Sequence, residues 1–139
     1  AGSAEMSELL SQQNNSALLQ LLEKQRLRHG FDFLKLLSSD GGKVLNRKGW
    51  SQHTLRLSPL SDLMMAADRS LDAGVSGVEI YSASDWQRES RIVSEKVILP
   101  LVATARAAPT KRAVEDRAMI IRTLQGVKNA SGELVAVLE

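Results

Sequence analysis

The chain has 139 residues, 43% hydrophobic and 24% charged, with no cysteine and a net charge of +2. These values exclude a wholly disordered chain. They also exclude disulfides, thiolate metal sites and thiol nucleophiles, and the slight basic excess argues against nucleic acid as a partner.

A chain of this length buries roughly two-thirds of its unfolded surface, enough for a core. With only Phe31, Phe33, Trp50, Tyr81 and Trp86 as aromatics, that core must be aliphatic. No apolar run approaches the ~20 residues that cross a bilayer. No signal-peptide pattern opens the sequence, and Ala1-Gly2-Ser3 reads as a cloning remnant.

Residues 4–29 read as helix, continuous but bent or broken in two. Met6, Leu9, Leu10 and Leu18 make an apolar stripe, interrupted at residues 12–16 by Gln, Asn and Ser. Asn15 or Ser16 suits the cap of a second helix, and Gly30 suits its left-handed end. A lone helix of this kind buries too little, so it is expected to pair with a second copy or else to fray.

Residues 31–38 (FDFLKLLS) read as a mostly buried strand. Asp40-Gly41-Gly42 turns it into a second strand over 43–48. Residues 58–73 make the clearest helix, with Ser58 at the N-cap, Pro59 at N1 and Leu60, Leu63, Met64, Ala67 and Leu71 on one face. Residues 75–82 alternate as a strand. A helix over 84–96 is expected from a Ser84–Gln87 capping box, with Trp86, Ser90, Val93 and Val97 on one face. A strand over 98–106 follows, then a polar loop over 107–117. A hairpin closes the sequence, with strands at 118–127 and 133–139 about a turn at 128–132. The two hairpins predict an α+β fold, an antiparallel sheet with helices beside it, in one domain over 4–139.

Catalytic patterns are missing. There is no phosphate-cradling loop, HExxH, GxSxG or dinucleotide fingerprint. His29 sits at a helix C-terminus, where it suits the dipole, and His53 stands far from it. No metal or cofactor is expected, and no enzymatic activity.

Several stretches in order resemble the Cache sensor domains, PAS-like extracytoplasmic regions of bacterial histidine kinases and chemoreceptors. They are Gly30-Phe31-Asp32-Phe33-Leu34 with Ser39 to Leu45; Asp72-Ala73-Gly74 with Val78-Glu79-Ile80; Leu101-Val102-Ala103-Thr104 with Ala107 to Thr110 and Glu115 to Met119; and Asn129 to Leu138. The resemblance implies a long N-terminal helix emerging from a membrane helix and a sheet of about five antiparallel strands. It also implies a small ligand, often a carboxylate or amino acid, held between sheet and loops and relayed across the membrane to a kinase or methyl-accepting output. The chain would then be the periplasmic part of an inner-membrane protein, attached through flanking helices outside this sequence. It would be a single Cache-like domain, truncated or the first module of a double one.

The residues themselves suggest an anion. Arg122 lies mid-strand between Ile120 and Leu124 on one face, where a charge needs an acidic partner or an anionic ligand. Glu79 and Glu115 are the internal partners considered. Tyr81 either aims a hydroxyl into the same cavity or is an ordinary half-buried sheet residue. Trp50 is a lid or a cover for the core edge. Thr104, Arg106 and Arg117 flank the Pro109 loop and either clamp a carboxylate or phosphate or lie solvated. The expected partner is thus a small anionic molecule, with a homodimer through the N-terminal helix and no nucleic acid. The alternatives are a cytosolic PAS- or GAF-like regulatory module, and a small enzyme using Glu115 or His53 as base.

Overall fold

The computed structural model describes residues 2–52, 74–89 and 91–139, so the helix expected over 58–73, together with His53 and Ser90, lies outside the described residues. The chain is α+β, with a six-stranded antiparallel sheet and helices. It divides into two compact units, Ala1–Gly77 with Arg122–Glu139, and Val78–Ile121.

The first unit opens with two helices, α1 (Gly2–Ser11) and α2 (Asn15–His29), the broken form of the two readings above and not the one long helix that the resemblance implies. The break is local chemistry. Gln13 takes a left-handed φ of 53°, and the Asn14 side chain accepts a hydrogen bond from Ala17 N–H. The cap is therefore Asn14, not Asn15 or Ser16. Gly30, at φ 68°, ends α2, and the amides of Gly30 and Phe31 both reach the Arg26 carbonyl.

The expected strand over 31–38 shortens to β1 (Leu36–Ser38). Phe31 is exposed and stacks on His29, ahead of the ladder to β8, which begins with the Lys35–Glu139 backbone bonds. The Asp40 turn forms as expected. Asp40 Oδ1 accepts from Gly42 N–H and from the Ser38 hydroxyl, and Gly41 supplies a φ of 73°. Those bonds hold the Asp40 carboxyl below its usual range, the Ser38 hydroxyl first.

β2 (Lys43–Asn46) then pairs with β3 (Gly49–Gln52), a strand that its glycine-containing, basic surroundings do not signal. Asn46 Oδ1 accepts from Lys48 N–H, and Gly49 adopts φ 102°, so two residues suffice for the turn.

The sheet order is β3-β2-β1-β8-β7-β4, with β4 (Val75–Tyr81), β7 (Ala118–Lys128) and β8 (Leu134–Leu138). Without the β3 edge, the remaining five strands run second, first, fifth, fourth, third. The first and last thus lie side by side at the centre, Leu37 opposite Val137. β4 and β7 start or end in the second unit. The Ser76 and Thr123 hydroxyls meet across them at 2.7 Å.

Both faces of the central strands are apolar. Leu36, Leu45, Val127 and Ala136 pack with Met6, Leu18, Leu21 and Leu22 of the helix pair. Leu37, Leu124 and Val137 form a second cluster on the opposite face, joined by Val44, Val75 and Leu134. The α1 stripe offered above to a second copy is thus taken up internally: Met6 is 3% exposed, and Leu9 and Leu10 pack against the same cluster.

In the second unit, Tyr81 leads into α3 (Ala83–Glu89), followed by α4 (Arg91–Val97). These two segments cover the helix expected over 84–96, apart from Ser90 between them, which lies outside the described residues. The capping residues also differ from the Ser84–Gln87 box. Ser82 and Asp85 cap reciprocally: Asp85 accepts from Ser82 N–H and hydroxyl, and Asp85 N–H donates to the Ser82 hydroxyl. The same motif appears two residues earlier, and the Ser82 bonds hold the Asp85 carboxyl below its usual range. The strand expected over 98–106 reduces to β5 (Leu99–Pro100), paired with β6 (Val114–Glu115). Proline at its second position removes a ladder donor.

Candidate functional site

Arg122 is 5% exposed on the β7 face that also carries buried Leu124. A guanidinium there loses its water and needs an anion beside it. Glu139 supplies one: its Oε1 accepts from Arg122 Nε at 3.0 Å and from Nη2 at 2.7 Å, with both side chains largely buried. Glu139 was not among the partners considered above.

Its position follows from a defect in the hairpin. The β7–β8 register is Gln125 with Leu138, Gly126 with Val137 and Val127 with Ala136, but Lys128 with Leu134, so one residue bulges out. Continuing the outer register sets Glu139 opposite Leu124, on the face of Arg122. Without the bulge it would oppose Thr123, on the other face, since side chains alternate with period two. The Glu139 backbone is itself fixed, with its N–H and C=O both bonded to Lys35. Glu139 Oε2, also buried, accepts no hydrogen bond from the described residues.

Trp50 lies on the edge strand β3, opposite Leu45 of β2, and is 38% exposed. Arg122 stands four strands along in the same sheet, roughly 19 Å at ~4.8 Å per strand. One small ligand does not bridge that span, so the structure does not bring these two residues together.

In the second unit, Tyr81 is 5% exposed and packs at a tilt of 60° on Trp86, with ring centroids 5.2 Å apart. Thr104 and Arg106 share one exposed turn, in which Ala107 N–H reaches the Thr104 carbonyl. Arg117 is held by Glu115: its backbone N–H and Nε both donate to Oε1, at 3.1 and 3.0 Å, while Arg112 Nη1 lies 3.0 Å from Oε2. The Arg117 side chain and backbone bonds hold the Glu115 carboxyl down at about 2. Arg117 therefore already has an anion.

Because the folded value lies below the ordinary glutamate value, Glu115 adds stability above the ordinary value and loses it as pH falls towards 2. A side-chain carbon titration by NMR is expected to place its midpoint near 2, moving up toward the ordinary range in Arg117→Ala. An ordinary midpoint in the unaltered chain would contradict this bonding.

No group of three His, Asp or Glu side chains able to hold a metal occurs among the described residues. A shallow open groove of about 640 Å³ lies between α1 and the β7–β8 turn, lined by Ala4, Ser7, Glu8 and Ser11 with Lys128, Asn129 and Ala130. None of the candidate residues borders it. Comparison with protein-family models, with curated proteins and with solved structures finds no match.

Proposed function

We propose that the chain is the ligand-binding part of a PAS-like, Cache-type extracytoplasmic sensor in a bacterial transmembrane signalling protein. In this reading it binds a small organic anion and catalyses nothing. The sheet, with a helix pair on one face and the central position of its first and last strands, supports that reading. The single observation that carries it is the buried Arg122–Glu139 pair on the opposite face.

A buried pair is a poor device for stability alone, because desolvation offsets most of its attraction. It is a good device for exchange. A ligand carboxylate matches the guanidinium fork as well as Glu139 does, so it competes with Glu139 for Arg122. The buried Oε2 favours a ligand that also brings a donor, such as a hydroxyl, since an unmet buried acceptor costs about 1–3 kcal/mol. Displacing Glu139 moves the end of β8, and that shift is the signal. The relay to a membrane-bound output and a periplasmic location belong to this proposal.

The test is a melting screen against small carboxylates, hydroxycarboxylates and phosphates. A ligand at ~100 times its dissociation constant stabilises by about 2.7 kcal/mol, a shift of roughly 10 °C for a domain this size. Glu139→Gln is expected to bind the active compound more tightly, and Arg122→Lys more weakly. A hit that shifts all three proteins equally, or a screen in which only neutral or cationic compounds act, would sink the proposal.

A further inference from the structure

Within the second unit, residues 98–114 contain Arg106, Lys111 and Arg112 and no acidic residue. Every residue of this stretch is exposed. It is nevertheless not shapeless. The β5–β6 pairing closes its base, Leu99 opposite Glu115 and Pro100 opposite Val114, and Leu101 N–H continues the ladder to the Ala113 carbonyl. Two tight turns shape the tip, Ala107 N–H to the Thr104 carbonyl and Arg112 N–H to the Thr110 hydroxyl.

The loop also carries aliphatic side chains turned to water. Val102 is 79% exposed, Leu99 59%, Ile98 45% and Leu101 38%. One exposed aliphatic residue needs no explanation; several on one closed loop that carries cations and no acidic residue do. Arg112 is tied to Glu115, so Arg106 and Lys111 supply the positive charge.

We propose that the β5–β6 loop docks on an anionic lipid surface. Charge and apolarity fit the two layers of such a surface together. The headgroup phosphates meet Arg106 and Lys111, and the acyl boundary takes Val102 and Leu101. Water alone satisfies the cations but not the aliphatic side chains. This inference does not depend on the sensor reading and stands or falls separately from it.

The test is co-sedimentation of the whole chain with vesicles of phosphatidylcholine, with and without phosphatidylglycerol, at low salt. Binding is expected only with the anionic lipid. It should weaken as salt rises, because the screening length falls from ~30 Å at 0.01 M to ~8 Å at 0.15 M. Each cation near the surface is worth about a fivefold change in affinity. Arg106→Glu with Lys111→Glu is therefore expected to weaken binding by at least ~25-fold, and Val102→Asn by about tenfold. All three positions are exposed, so the variants should keep the wild-type circular dichroism and melting temperature. No binding to either vesicle, equal binding to both, or a charge-reversed or Val102→Asn protein that binds like wild type each overturns the proposal. So does binding to polyglutamate but not to vesicles, which assigns the loop to an acidic protein partner instead.

Discussion

Arg122→Ala is expected to lower the unfolding free energy by about 3–5 kcal/mol, because it leaves a buried carboxylate without its counter-charge. Glu139 sits at 10% side-chain exposure, with one oxygen already unmet among the described residues, so little solvent is at hand to replace the guanidinium. Removing the charge from both partners at once, as Arg122→Met with Glu139→Leu, should restore most of the loss, since apolar groups of similar volume suit the neighbourhood of Leu124. Urea unfolding of the two single variants and the double variant measures this. A nearly neutral Arg122→Ala would mean that the pair is open to water. An additive double variant would mean that the two side chains do not act on each other.

Leu36→Ala is the second large expected effect, about 2–5 kcal/mol. Leu36 is fully buried on central strand β1 and touches the cluster that joins the sheet to Met6, Leu18 and Leu22. A cavity there loosens both layers at once, and the packing around a strand with neighbours on both sides collapses poorly into it. Ile121, by contrast, is 76% exposed on β7, so Ile121→Ala should stay within about 0.5 kcal/mol. Equal effects from the two would contradict the placement of the core.

The elements with a strong local signal were legible in the sequence. The Asp40-Gly41-Gly42 turn, the Gly30 helix end, the strand over 75–81 and the β7–β8 hairpin all follow from turn chemistry and period-two patterning. The elements that depend on neighbours were less so. Residues 31–34 are as apolar as a strand, but the ladder to β8 begins only at Lys35, bonded to Glu139, and continues through 36–38. Residues 49–52 contain glycine and flank a basic turn, yet β2 recruits them by register. The N-caps fell a step or two away because Asn14, Asn15 and Ser16, like Ser82 and Ser84, are equivalent on paper. Only the backbone decides which side chain reaches an orphan N–H.

The site shows the same division. That Arg122 would be embedded among aliphatic residues was readable from Ile120 and Leu124. Its partnership with Glu139 was not, although the hairpin was expected, because the bulge at Val127 and Lys128 changes which face Glu139 occupies. Arg117 was offered to a ligand, and the structure gives it Glu115, two residues away. Trp50 and Arg122, joined on paper in one site, are separated by the order of the strands, which no local pattern encodes.

The exchange of Glu139 for a ligand at Arg122 is tested most directly by following the Arg122 Nε–H resonance by NMR during titration with the anion that most raises the melting temperature. In the free chain that proton donates to Glu139 at 3.0 Å within the buried pair and should exchange slowly with water. If the anion replaces Glu139, the resonance moves to a new position as it binds, with the Glu139 side-chain carboxyl carbon shifting in step. A resonance that stays in place while the protein is saturated and stabilised would place the ligand elsewhere and leave Arg122–Glu139 as a structural pair only.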